Sequence, residues 1–158
     1  MKFYKTNDPG GYMSNYWKAR FFIYGRWWST VEHAYQAAKF DKIEDKEYIS
    51  KLRTPSEAKA YGKGKAPKAW RTVSLHIMLN LVRAKFQNHK ELKEELISTG
   101  DRELIEGNWW NDTFWGECPL GVGENHLGHI LMEVRKELQD ESRAVLDNAE
   151  RHTESQSG

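Results

Sequence analysis

The apolar and polar positions of this chain fall into blocks, and the blocks predict a helix-rich fold with a few short strands. KFYK (2–5) and ARFFIYGRWW (19–28) are short and rich in aromatic residues, as strands are, and Gly25 interrupts the second as a turn does. STVEHAYQAAKF (29–40) changes to a helical period. Ser29 followed by Glu32 three positions later is the pattern of a capping box, so a helix is expected from there to about Phe40. IEDKEYISKLR (43–53) is a second helical stretch. In TPSEAKAYGKG (54–64), Thr54 is placed as a cap, Pro55 suits the first helical position and Glu57 completes another box.

The longest helix is expected over AWRTVSLHIMLNLVRAKFQ (69–87), with Val73, Ile77, Leu81 and Ala84 as its apolar stripe. KELKEELISTG (90–100) is amphipathic and Gly100 is placed to end it. ELIEGN (103–108) reads as a short strand. HLGHILMEVRKEL (126–138) reads as a last helix with Asn125 as its cap. From about Gln139 polar residues dominate, and the helix is expected to run on for a turn or two. No internal repeat or linker divides the chain. The expectation is an α+β fold: a predominantly helical single domain over 1–140 with a small β-sheet, and a polar, partly disordered tail over 141–158.

Helical spacing puts Glu32, Gln36 and Lys39 on one narrow stripe beside Tyr35, at about 100° per residue. His33, Ala37 and Phe40 form the neighbouring stripe, and Ala34 and Ala38 suit close packing. Two readings fit the polar stripe equally well. Glu32 has a structural task in a capping box, and a Glu-to-Lys row is a common solvated face. An acid, an amide and an amine in one row also make a small reactive site.

Composition narrows the alternatives. The chain carries 24 basic and 23 acidic residues, so no general field draws it to DNA or to an anionic membrane. Its one cysteine, Cys118, precludes an internal disulfide and fits a reducing, cytoplasmic setting. The first residues lack the apolar run of a signal peptide, and no segment approaches a membrane span. Aromatic residues make up 13% of the chain, with seven tryptophans, two of them in RWW and two in NWW. Neighbours on a strand point opposite ways, so one Trp of such a pair is expected at an edge or cleft, where a flat ring can stack.

Two further stretches offer ligand contacts. WWNDTFWGECPLGVGENHLG (109–128) is long and irregular, and holds Asp112, Asn111, Asn125, several aromatics and four glycines. Gly121, Gly123 and Asn125 precede a helix whose free N–H groups suit a phosphate. A structural loop with Trp115 in the core fits the same residues. Lys63, Lys65, Lys68 and Arg71 form a basic cluster, either a phosphate site or a solvated charge run. Other chemistries lack their motifs: there is no P-loop, no dinucleotide fingerprint after a strand and no nucleophile elbow. Cys118 with His126 and His129 lacks zinc spacing; a core thiol and capping histidines explain them better. Glu32 and Asp112 remain as a possible acid and base for a glycosidic bond, with Lys39 as a possible nucleophile.

The ordered set WSTVEHAYQAAKF (28–40), RAKF (83–86), NDTFWG (111–116) and GENHLGHILMEVR (123–135), preceded by SNYW (14–17), resembles the YbiA-like family, also called NADAR domains. The likeness covers roughly residues 1–138. ECPLG (117–121) departs from it, where the family often has another glycine-rich step.

This resemblance implies an N-glycosidase without a metal or organic cofactor. The implied substrates are phosphorylated ribosyl or ADP-ribosyl compounds: ribosylamino-pyrimidine phosphates of riboflavin biosynthesis, or ADP-ribosylated guanine, with ADP-ribosylated nucleic acid as a possible partner and no membrane. Its motif residues correspond to Glu32, Lys39 and Asp112 as catalytic groups. The substrate contacts that follow are Gln36, Trp109, Trp115, Gly116, Gly123, Asn125, Lys63 and Lys65. A module that binds ADP-ribose or a nucleotide without turnover is the alternative. An interaction domain, with the Glu32 stripe facing solvent, is a third.

Overall fold

A computed structural model describes residues 1–156. Strand β1 (Lys2–Phe3) leads into a single 3₁₀ turn at Gly11–Met13, then a hairpin of β2 (Phe21–Ile23) and β3 (Arg26–Trp28). Five helices follow: α1 (Val31–Ala37), α2 (Ile43–Lys51), α3 (Pro55–Gly62), α4 (Trp70–Asn88) and α5 (Lys90–Ser98). Strand β4 (Ile105–Glu106), a long loop and helix α6 (His126–Gln156) complete the described chain. The fold is therefore α+β and mostly helical, with two small sheets rather than one.

The hairpin pairs Phe21 with Trp28 and turns at Tyr24 and Gly25, both at positive φ (54° and 74°), the backbone of a tight type I′ turn. Trp28 is buried and Trp27 exposed, as strand alternation demands. The other sheet joins the two ends of the domain. β1 and β4 run parallel, with Lys2 opposite Ile105 and Phe3 opposite Glu106. Phe3, Phe21, Leu81, Phe86, Leu96, Leu104, Leu127 and Leu131 lie fully buried between these sheets and the α4–α6 and α5–α6 pairs.

Thr54, Pro55 and Glu57 form the expected box: Thr54 Oγ1 accepts from Glu57 N–H, and Glu57 Oε2 accepts from Thr54 N–H. Gly100 follows α5 at φ 68° and ends it. Helix α1 differs. Thr30, not Ser29, is its cap, accepting from His33 N–H, because the Ser29 carbonyl still accepts from Ala19 N–H along the hairpin edge. Glu32 therefore lies outside any capping box. The regular helix also stops at Ala37, and Ala38–Phe40 continue as tight turns.

The buried face of α4 is Trp70, Ser74, Met78, Leu81, Val82, Lys85 and Phe86, and Val73 of the expected stripe is exposed. The polar members of that face, Ser74 and Lys85, disguised it. The side chain of Asn125 does not cap α6. Its Oδ1 accepts from Glu106 N–H and its Nδ2 donates to the Leu104 carbonyl, fastening β4. Helix α6 runs to Gln156, well past the turn or two expected. Residues beyond Ser142 are exposed, and local pairs such as Lys136 with Asp140 and Arg151 with Asn148 support this helix. Positions 157–158 of the expected tail lie outside the described residues.

RAKF supplies two struts. Arg83 makes a two-pronged bond to Glu137 of α6, each contact at 2.8 Å. Lys85 is fully buried and donates to the Tyr12 carbonyl at 2.6 Å and the Ser14 carbonyl at 3.0 Å. Burial pushes its amine down to about 7, and a neutral amine keeps the N–H groups these two carbonyls need. Replacing Lys85 by Met keeps the stem but strands both carbonyls, so the Lys85→Met chain should lose about 2–4 kcal/mol in urea unfolding. The unfolded lysine holds its proton to about pH 10.4. Between about pH 7 and that value the unfolded chain binds more protons, so stability contributed here rises with pH. Wild type should gain on Lys85→Met over that window.

Candidate active site

Every residue of α1 is buried, and each of its polar side chains has a defined place. His33 Nε2 faces the Leu52 carbonyl at 3.1 Å. A carbonyl only accepts, so Nε2 carries the proton and Nδ1 accepts from the Thr30 hydroxyl at 2.7 Å. Desolvation keeps this ring neutral by lowering its pKa. Glu32 and Gln36 point the other way, into a cavity of about 610 Å³. This overturns the reading of a solvent-facing stripe. The cavity lies between α1, the segments after β1 and the 3₁₀ turn, Lys59 of α3, Glu106 of β4 and the loop through Trp110, Asp112 and Trp115.

Three carboxyl groups share this space. Glu32 Oε1 accepts from Gln36 Nε2 at 2.7 Å. Burial pushes its carboxyl above the usual range, against the pull of the Gln36 bond and of Lys59 and Lys39. Asp112 Oδ1 accepts from the Phe114 and Trp115 N–H groups at 3.1 and 2.9 Å, and Asn108 clasps the Asp112 backbone from both sides. Glu106 is pushed up to about 8, by burial first and then by Asp112 and Glu32.

Lys39 faces the acids. Its Nζ lies 5.4 Å from the Tyr35 ring and 5.9 Å from the Trp70 ring, and its nearest polar partner is the Gly62 carbonyl at 3.4 Å. Burial lowers its pKa, Glu32 raises it and Lys59 lowers it further. The aromatic wall behind it is fixed: Trp70 Nε1 donates to the Tyr35 hydroxyl at 2.9 Å, and Trp115 meets Tyr35 edge-on at 5.5 Å.

Glu32, Lys39, Asp112, Gln36 and Trp115 therefore line one cavity. The other expected contacts lie elsewhere. Trp109 stacks on Tyr4 at 5.4 Å, and its neighbour Trp110 faces the cavity with Lys59 Nζ 5.6 Å from its ring. Lys63 and Lys65 are exposed outside the lining, where Lys5 and Lys59 stand instead. Gly116 and Gly123 serve close backbone approach: a Cβ on Gly116 would strike the Glu106 carbonyl, and one on Gly123 the Gly116 carbonyl. The N–H groups at the start of α6 are already taken, His126 by the Phe114 carbonyl and Leu127 by that of Trp115. Cys118 is buried in this loop, and among the described residues no group of three or more His, Cys, Asp or Glu is placed to hold a metal. Sequence reasoning missed Glu106, Lys59, Asn15 and Trp70. Glu106 carried a weak signal as an acid in a short strand and Asn15 one as part of SNYW; Lys59 and Trp70 carried none.

Fold and cavity define a helix-rich α+β domain built around an acid-lined cleft that Lys39, Lys59 and Lys5 also line. Residues 2–139 match the family model described as NADAR domain. The N-glycosidase YbiA of Escherichia coli is 36% identical over 141 residues, spanning 87% of this chain and 88% of that protein. An N-glycosidase of Nostoc punctiforme is 39% identical over 144 residues, with 87% and 92% covered. A riboflavin biosynthesis protein of Vibrio vulnificus is 35% identical over 143 residues, which are 87% of this chain but 38% of that protein. The NMR structure of E. coli YbiA matches with a TM-score of 0.81 at 36% identity, over 90% of this chain and 86% of that one. This chain belongs to the NADAR domain family, which includes N-glycosidases. Among the described residues no helix is long and apolar enough to cross a membrane.

Gly62 sets one detail of the cleft. A Cβ there would overlap Gln36 Oε1, a buried atom with no hydrogen-bond partner among the described residues. Gly62→Ala should displace Gln36 and remove the bond that holds the Glu32 carboxyl down. In a ¹³C NMR titration of side-chain carboxyls, Glu32 should then titrate at higher pH than in wild type.

Proposed function

We propose that this chain is an N-glycosidase that hydrolyses the C–N bond between ribose and a nitrogenous base or amine. Ribosylamino-pyrimidine phosphates are the leading substrate class and ADP-ribosylated guanine is the second. The observation that carries this reading is the meeting of Lys39, Glu32 and Asp112 in one nucleotide-sized cavity. A module that binds without turnover has no use for a desolvated amine opposite crowded acids. The curated relatives named N-glycosidases support the same reading.

The bond breaks as positive charge builds at the anomeric carbon, which a neighbouring carboxylate stabilises. Asp112 suits this task because two N–H bonds fix its position. Glu32 is placed to exchange a proton with water or with Lys39. A neutral Lys39 amine can attack the anomeric carbon as the sugar ring opens, forming an imine that water later hydrolyses. Direct attack by water is the other route. Exposed Trp110 offers a face for the base. Among the described residues neither Lys5 nor Lys59 has an ion-pair partner, so both are available to a phosphate.

Purified protein should release free amine from a ribosylamino-pyrimidine phosphate, and Lys39→Ala should lower kcat by at least about 100-fold. Cyanoborohydride added during turnover should trap a sugar on Lys39, seen by peptide mass spectrometry, if the imine route operates. No turnover by wild type on either substrate class would sink the assignment, and full activity in Lys39→Ala would sink the imine route. On the imine route, which requires a neutral lysine, the acid limb of the pH profile should rise as Lys39 loses its proton, below the ordinary lysine range.

A further inference from the structure

Among the carboxyl groups that crowd the cleft, Glu106 differs from the other two in how it is held. Its backbone is pinned on both sides: its N–H donates to Asn125 Oδ1 at 3.0 Å, and its carbonyl accepts from Glu117 N–H at 2.8 Å. The strand pairing with Phe3 fixes it further. From this rigid mount the side chain lines the cavity. Glu32 accepts an N–H bond from Gln36, and Asp112 accepts two from the backbone. Among the described residues no N–H or O–H donor and no ion-pair partner reaches the Glu106 carboxyl. The charged groups around it are Glu32 of α1, Lys39 beyond it, Lys59 of α3, Asp112 of the loop and Lys5 after β1, with the Tyr16 phenol alongside.

Carboxyl groups sharing one desolvated site do not all ionise; one keeps a proton. The proton settles on the group with no donor to satisfy a second lone pair, and that group is Glu106. We propose that Glu106 is the proton donor to the departing nitrogen, a further catalytic residue of the N-glycosidase reaction. As the bond from the anomeric carbon to nitrogen breaks, its electron pair goes to nitrogen, which takes the proton from Glu106 Oε. Glu106 is left as a carboxylate. Water, or Lys39 followed by water, then fills the anomeric position. The proton this releases passes to Glu32 or Asp112 and returns to Glu106 through solvent. Sugar and free amine are the products, and one water is consumed. Both routes to the sugar need this protonation, so the role holds whichever of them operates. The proposal rests on the N-glycosidase reading and adds the acid to it.

The test is kcat/KM against pH for wild type, Glu106→Gln and Glu106→Asp on a ribosylamino-pyrimidine phosphate, with calorimetric binding of ribose 5-phosphate as a check on folding and affinity. An acid lost near pH 8 makes wild-type activity fall as pH rises through about 8. Glu106→Gln should lose about 10²- to 10⁴-fold in kcat, keep its ribose 5-phosphate affinity and show no such alkaline limb. Glu106→Asp should recover part of the rate and a limb of its own, which also serves if the Gln variant fails to fold. An active wild type whose alkaline limb persists unchanged in Glu106→Gln overturns this proposal alone. A wild type inactive on every riboside tried overturns the N-glycosidase reading and this proposal together.

Discussion

Three acids in one half-dry cavity repel each other, and the fold is arranged so that this repulsion is tolerable. A carboxylate withdrawn from water needs hydrogen-bond donors, a nearby cation or a proton. Here all three remedies are used. Asp112 takes two backbone donors that exist because its loop turns tightly around Asn108. Glu32 takes the Gln36 amide and the field of two lysines. Glu106 is driven toward the neutral acid. The amine opposite is discouraged from carrying its charge by the same dryness that raises the acids. Opposed shifts in facing groups are what proton-transfer chemistry near neutral pH requires.

The scaffold bears the cost of presenting this chemistry from a helix buried on all sides. Desolvation keeps His33 neutral between the Thr30 hydroxyl and the Leu52 carbonyl, leaving Glu32 and Gln36 as the polar atoms that face the ligand space. Behind them a second buried amine, Lys85, does structural work. It holds the carbonyls of Tyr12 and Ser14, and so positions the wall formed by Ser14, Asn15 and Tyr16. One lysine is kept dry to hold a wall and the other is half-dried beside the acids, and the sequence alone does not distinguish the two uses.

Short-range signals were legible in the sequence; contacts between distant segments were not. The hairpin turn at Gly25, the Thr54 box and the end of α5 follow from local rules, and all three hold. The Ser29 cap fails because a hairpin-edge bond to Ala19, set by long-range packing, shifts the helix start by one residue. The stripe of α4 was missed because Ser74 and Lys85 sit on its core side. Glu32, Gln36 and Lys39 were readable as a row and Asp112 as a second acid in the irregular loop, and the family resemblance joined them. Lys63 and Lys65 were read as ligand contacts, whereas the lysines that line the cavity besides Lys39 are Lys5 and Lys59, one from a distant segment and one from α3. Glycines 116 and 123 were read as ligand contacts; their lack of a side chain lets the loop approach the Glu106 carbonyl of β4 and its own Gly116 carbonyl.

The pairing of β1 with β4 also has a kinetic side. Helices α1 to α3 rest largely on one another, whereas the cavity needs Lys5, Glu106 and Asp112 together, and Lys2 meets Ile105 only when nearly the whole domain is looped back. Closing so long a loop costs entropy before any cavity contact compensates for it. A chain caught before that closure has no binding site. Ligand then has affinity for the closed chain alone, and by mass action it deepens the native state in proportion to its own concentration. The abundance of substrate thus becomes one of the factors that sets how long the folded enzyme lasts.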